Sequence, residues 1–323
     1  MLNKIIVEKF GGPEELRLKT APAEELGAGM IRVAVASAGV NRADVMMRTG
    51  NYHVKTLPLT PGLEAAGVVT EGTKALPKGT RVLIYRRSTG LYAEEVVVPE
   101  GDVVVVPEGV GLDAAASVPV NWLTAFHCLF HICRLSAGQT LLITAAGSGV
   151  GQAAIQLAKK AGARVLAGVG SEEKEGMLRE RWGLKDVFLY KADTLTKQVQ
   201  DLTGGAGADV ALEIVGGKFF RPALLALKAG GRLAQAANVT LEDSTINVRD
   251  FYARNISIGG FQYGNLMALK QDRFAEDLLK ILEGFARGDY KPMITKRFSL
   301  ADAPRAHQAI VERAHEGKII LTN

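Results

Sequence analysis

Apolar residues in the first third of the chain come in short runs cut by glycine and proline. Residues 31–36, 65–70, 80–85 and 93–98 are such runs, and their length, β-branched content and turn-forming flanks predict strands. Gly11-Gly12-Pro13, Pro77-Lys78-Gly79, Pro99-Glu100-Gly101 and Pro107-Glu108-Gly109 read as the turns between them. This part of the chain is expected to form a β-rich partial barrel.

The pattern changes near residue 112. A short helix is expected over 112–116 with Asp113 as its cap, then a long one over 121–135. Strands and helices then alternate. A strand over 140–146 leads through a glycine cluster into a helix whose Val150, Ala154, Leu157, Ala158 and Ala161 recur at three, four and seven, closed by Gly162. A strand over 164–169 and a charged helix over 172–182, ended by Gly183, follow. Further strands are expected over 187–190, 209–215, 231–236 and 256–259, with a helix over 219–227. Repeated βα units of this length predict an α/β fold with a doubly wound parallel sheet. Beyond Gly260 the pattern gives a helix over 266–287, another over 303–312 and a last strand over 318–321.

Composition narrows the class of protein. The chain has 323 residues and is 47% hydrophobic and 23% charged, enough for about two ordinary ordered domains. Two cysteines exclude a disulfide framework and a four-thiolate zinc site. Net charge is +5 and the isoelectric point about 9.1. The basic residues are nevertheless interleaved with acids, as in Ser171-Glu172-Glu173-Lys174-Glu175, and aromatics are 6%. That argues against nucleic acid as a partner and fits an enzyme that attracts anionic ligands. No apolar run is long enough for a membrane span, and the first strand-like run is too short for a signal peptide. A cytoplasmic location is expected.

The chemistry is concentrated in Ala145-Ala146-Gly147-Ser148-Gly149-Val150-Gly151, between a strand and a helix. A dinucleotide pyrophosphate needs a tight turn, close backbone approach and free N–H groups at a helix N-terminus, and small residues allow all three. The strict G-x-G-x-x-G pattern is not met, since Ala146 and Ser148 stand at its first two glycines. An NAD site usually places an acid about 20 residues on. Here Ser171 stands there with Lys174 just beyond, a hydroxyl and an ammonium that suit the 2′-phosphate of NADPH. A second cluster, His127, Cys128, His131 and Cys133, places two imidazoles at i, i+4. No carboxylate stands nearby in the sequence, and packing is the expected role; no metal site is expected.

Several motifs appear in order: Gly39-Val40-Asn41-Arg42-Ala43-Asp44, Gly50-Asn51-Tyr52, Pro61-Gly62-Leu63-Glu64-Ala65-Ala66-Gly67, Leu123-Thr124-Ala125, the glycine cluster, Gly259-Gly260-Phe261 and Glu316-Gly317-Lys318-Ile319-Ile320-Leu321. Together they resemble, over essentially the whole length, the zinc-free quinone oxidoreductase (zeta-crystallin-like) branch of the medium-chain dehydrogenases/reductases. The resemblance implies a GroES-like catalytic domain over 1–118 and 262–323 around a Rossmann NADPH-binding domain over 119–261. Zinc-dependent relatives carry ligands where this chain has Asn41-Arg42, Leu63 and Asn121, which implies that zinc is absent.

The resemblance further implies that NADPH reduces a quinone or related conjugated carbonyl. Asn41 and Tyr52 are expected to face that acceptor, and Thr124 the nicotinamide end. Gly149 and Val150 would meet the pyrophosphate by backbone; Ser171, Lys174 and Tyr190 would surround the 2′-phosphate. Asn41, Asn238 and Phe261 would complete the cofactor site, with Lys318 reaching the phosphate from the tail. A homodimer through the edge of the Rossmann sheet is expected. The alternatives are an enoyl or enone reductase acting on C=C, and a cofactor-binding protein with an RNA-binding or structural role.

Overall fold

The computed structural model describes residues 1–52, 56–85, 89–268, 273–312 and 316–323. The chain divides into two compact units, Met1–Val120 with Arg273–Asn323, and Asn121–Asp272.

In the first unit a sheet runs in the order Ile294–Ser299, Lys318–Thr322, Met30–Val40, Ala65–Glu71, Arg81–Ile84, Val103–Val105, with Glu95–Pro99 also paired to Met30–Val40. Ile31, Val33 and Val35 point into a core shared with Val69, Val82, Ile84, Val98 and Ile319. The central strand extends beyond the expected 31–36 through Ser37-Ala38-Gly39-Val40. These small residues carry little strand signal. They are buried continuously because Lys318–Thr322 and Ala65–Glu71 flank them, with Ile319 opposite Val40 and Ala65 opposite Ala38. Asp113 is not the cap of the helix Leu112–Ala116; Gly111 holds that position. The Asp113 carboxylate instead accepts from the Ser37 hydroxyl at 2.5 Å and Arg297 Nε at 2.9 Å.

In the second unit, six parallel strands lie in the order Val187–Leu189, Arg164–Val169, Thr140–Ile143, Ala208–Glu213, Leu227–Gln235, Ser257–Gly260. Counted along the chain this is 3-2-1-4-5-6, the Rossmann order. The helix Gly149–Lys160 buries Ala154, Ile155, Leu157 and Ala158. The helix Glu172–Trp182 ends at Gly183 in the left-handed conformation, φ 60°.

Three further expected elements differ markedly. The strand over 140–146 stops at Ile143, because Ala145 adopts φ 48° and turns the chain out of the ladder. The helix over 121–135 is α-helical only from Pro119 to Phe126; His127–Ile132 is a π-helix, with Cys133 N–H donating to Cys128 O at 3.0 Å. The helix over 266–287 is two helices, Tyr263–Ala268 and Phe274–Ala286, and residues 269–272 of that expectation lie outside the described residues.

Candidate active site

In the first unit the loop before the helix Arg42–Arg48 and the turn before the strand Ala65–Glu71 bring polar groups into an apolar surround. Asn41, Asp44, Glu64 and Lys318 are all at most 5% exposed. Asn41 Nδ2 donates to Glu64 Oε1 at 2.8 Å, and Lys318 Nζ donates to Asn41 Oδ1 at 2.6 Å and pairs closely with Glu64 Oε1. Glu64 Oε2 accepts from Val120 N–H at 2.6 Å. Asp44 accepts from the backbone N–H of Asn41 at 2.8 Å and of Gly62 at 3.1 Å.

A second buried chain of groups ends on the same Asp44. Arg48 Nη1 lies 3.5 Å from His307 Nδ1, His307 Nε2 lies 3.3 Å from the Tyr92 hydroxyl, and Tyr92 hydrogen-bonds Asp44. A guanidinium only donates, so His307 Nδ1 accepts, Nε2–H donates to Tyr92, and the Tyr92 O–H points at the carboxylate. Burial, with the neighbouring Arg48 cation as second cause, lowers the His307 pKa to about 3, so the ring is neutral. Burial raises the Asp44 carboxyl to about 7 against the lowering effect of its backbone donors and Lys318. It also pushes the Tyr92 phenol well above its ordinary value. Sequence reasoning missed Tyr92, His307 and Arg48, because their partners are distant in the chain.

In the second unit the turn after Ile143 is fixed from three sides. Tyr190 Oη accepts from Ala145 N–H at 3.1 Å, Ala146 N–H donates to Gly168 O at 2.9 Å, and Ser148 caps the following helix by accepting from Gly151 N–H at 3.1 Å. Gly151 is required here, since a Cβ would stand 2.5 Å from Ala146 O. Gly149 and Val150 are the first residues of the 12-residue helix. Lys174 runs its aliphatic stem past Gly147, with Cδ 3.1 Å from where a Cβ of that glycine would be. Ser171 caps its own helix, accepting from Lys174 N–H at 3.4 Å. Glu213, fully buried at the end of the fourth strand, accepts from the Thr144 hydroxyl and from Val215 and Gly216 N–H at 2.9–3.0 Å. The sequence signal for it was a lone acid inside Ala211-Leu212-Glu213-Ile214-Val215.

A cavity of about 550 Å³ opens beside the ends of the last two strands. His127, Ile132, Gln235, Asn238, Phe261 and Leu266 are among its lining residues. Phe261 N–H donates to Gln235 O at 2.8 Å and its ring lies 4.9 Å from that of His127. Asn238 is held within its loop: Nδ2 donates to Glu242 O and Oδ1 accepts from the Thr240 hydroxyl, both at 3.0 Å.

The structure thus brings Gly149, Val150, Lys174 and Tyr190 to one turn, with Ser171 capping the helix that carries Lys174, and Asn238 and Phe261 to one cavity. The Tyr190 hydroxyl also orders the turn, accepting from Ala145 N–H. One expectation changes. Lys318 is no tail lysine: it is 3% exposed and its ammonium is engaged by Glu64 and Asn41. Tyr52 is half-buried in the bend that precedes residues 53–55, which lie outside the described residues, and Thr124 is buried in the helix Pro119–Phe126.

The model of the alcohol dehydrogenase GroES-like domain matches residues 27–108, and that of the zinc-binding dehydrogenase matches 149–283. Quinone oxidoreductase of Rattus norvegicus is 31% identical over 99% of this chain and 98% of its own. A quinone oxidoreductase-like protein 2 homolog of Nematostella vectensis is 34% identical over 92% of this chain and 83% of its own. Among solved structures, mycobacterial Rv1454c complexed with NADPH superposes with a TM-score of 0.90 at 27% identity, covering 99% of this chain and all of that one. A GroES-like unit joined to a Rossmann unit defines the medium-chain dehydrogenase/reductase class. Within it, the chain belongs to the quinone oxidoreductase, zeta-crystallin-like family, and it is an oxidoreductase.

Proposed function

We propose that this chain is an NADPH-dependent reductase of quinones or related conjugated carbonyls that works without zinc. The observation that carries the reading is the Lys174 stem laid along Gly147, beside a glycine turn with no acid at the ribose position. A dinucleotide fits this turn: its small residues allow close approach of the backbone, and the helix Gly149–Lys160 begins there, where the helix dipole favours an anion. Gly149 and Val150 hold the pyrophosphate, and Ser171 and Lys174 hold the 2′-phosphate. Phe261 and Thr124 meet the nicotinamide end, with Asn238 at the edge of the cavity.

When bound, the reduced nicotinamide supplies a hydride. The chain's own task is to hold the acceptor against it, exclude water and donate hydrogen bonds to the oxygen that gains charge. Asn41 and Tyr52 carry out that donation. A conjugated acceptor already spreads the developing charge, so amide and phenol donors suffice. Zinc does not fit at Asn41 and Leu63, where zinc-dependent relatives carry ligands. Leu63 is apolar and buried, and the Asn41 carboxamide is held between a cation and a carboxylate. The chain is further proposed to be a homodimer paired through Ser257–Gly260, an exposed edge strand of the six-stranded sheet.

The test is a panel of 1,2- and 1,4-quinones, enones and enoyl thioesters with NADPH and NADH, with products identified. NADPH-preferring hydroquinone formation is expected. Turnover confined to C=C bonds of enoyl thioesters, or a preference for NADH, overturns the proposal.

A further inference from the structure

We propose that Lys318 is a positioning residue: it locks the Asn41 carboxamide in one orientation, which aims the remaining amide N–H at the oxygen of the acceptor. The inference rests on the proposed role of Asn41. Lys318, Asn41 and Glu64 form a closed triangle, in which the ammonium donates to Asn41 Oδ1 at 2.6 Å, Asn41 Nδ2 donates to Glu64 Oε1 at 2.8 Å, and the ammonium pairs with that same Oε1. An ammonium can only donate and a carboxylate can only accept. Rotating the amide by half a turn would set NH₂ against NH₃⁺ and carbonyl oxygen against carboxylate, so only one orientation survives.

The backbone supports the lock. Asn41 N–H is held by Asp44 at 2.8 Å, and Ile319 pairs with Val40, so Lys318 and Asn41 each stand one residue from a fixed register. Gly39 leaves room for the Glu64 carboxylate: a Cβ there would collide with Glu64 and stand 2.7 Å from Ala116 O. With one Nδ2 hydrogen on Glu64 and Oδ1 on Lys318, a single amide hydrogen remains. Donation from Lys318 to Oδ1 polarises the amide and strengthens that last donor. A buried ion pair is weak evidence for stability, whereas an orienting role gives it a function.

Four variants test this: Lys318→Met, Lys318→Met/Glu64→Gln, Asn41→Ala and Asn41→Ala/Lys318→Met. Lys318→Met is expected to lower kcat with a quinone by about tenfold while KM for NADPH is unchanged, and to cost nothing further in the Asn41→Ala background. The Glu64→Gln companion removes the carboxylate left unpaired and keeps the test valid if the single variant fails to fold; its kcat should stay low. Independently of turnover, the Asn41 side-chain amide resonances, assigned by their loss in Asn41→Ala, should shift in the Lys318 variants. Unmoved amide resonances, or the same fold-loss with and without Asn41, overturn the inference. Wild-type protein that reduces no acceptor overturns the proposed function instead, and the amide spectrum still decides the lock.

Discussion

Two lysines that read alike in the sequence have opposite fates. Lys174 lies in the first turn of its helix with its stem along Gly147 of the glycine turn, while Lys318 is sealed inside the other unit. Lys174→Ala is therefore expected to raise KM for NADPH by about ten- to a hundredfold and to leave KM for NADH nearly unchanged. Steady-state kinetics with both nucleotides check this, and equal effects would remove the phosphate assignment. Tyr190→Phe removes the acceptor of Ala145 N–H. It should weaken binding of NADPH and NADH alike, which distinguishes ordering of the turn from contact with the phosphate; isothermal titration gives the comparison.

At the scale of elements, the strand–turn–helix around Ala145–Gly151 depends on contact between backbones. Gly151→Ala sets a Cβ against Ala146 O at 2.5 Å, where no flexible side chain can yield. A loss of about 1–3 kcal/mol in stability, together with weakened nucleotide binding, is expected from urea denaturation and titration. The helices Arg42–Arg48 and Ala303–Val311 are joined by the Arg48–His307–Tyr92–Asp44 chain, and this gives a pH signature. Asp44 titrates near 7 when folded and 3.8 as its ordinary value; His307 near 3 when folded and 6.5 ordinarily. Between about pH 4 and 6.5 the folded chain carries a proton on Asp44 that the unfolded chain lacks, and the unfolded chain carries one on His307 that the folded chain lacks.

The Asp44 contribution thus falls as pH rises through 7, and the His307 contribution falls as pH drops below 6.5. The two slopes oppose. Relative to wild type, Asp44→Asn should gain stability with rising pH across this window, by up to about 1.4 kcal/mol per unit, and His307→Gln should lose it. Urea midpoints measured from pH 4 to 7 decide the sign. The sequence carried the alternation of strand and helix here because each βα unit repeats a local period. It did not carry the π-turn at His127–Ile132, where the apolar spacing still reads as ordinary helix, nor the buried chain on Asp44. Tyr92 and His307 are 215 residues apart, and no local pattern signals such a contact.

For the whole molecule, the proposed independence from zinc predicts that prolonged chelation leaves turnover intact. Stoichiometric metal in the purified protein, lost together with activity, would refute it. The proposed edge-strand dimer predicts that Ile258→Lys shifts sedimentation toward the monomer, since Ile258 is 39% exposed on that strand. No helix among the described residues is long and apolar enough to cross a membrane. The two-unit architecture was legible because glycine and proline punctuation gives way to βα alternation. Which residues of one unit meet each other was not, because the first unit takes strands from both ends of the chain.

That discontinuity has a consequence for biosynthesis. Asn41 and Lys318 are 277 residues apart, so at about 5–20 residues per second a ribosome takes roughly a quarter of a minute to a minute to deliver the second after the first. During that interval the nascent strand Met30–Val40 lacks the neighbour Lys318–Thr322, and Glu64 has no counter-ion. The unit Asn121–Asp272 lies wholly within the intervening stretch and can be completed first. Newborn molecules would thus pass through a stage with an open sheet edge for a chaperone to shield, and the Lys318–Asn41–Glu64 triangle would be among the last parts to mature.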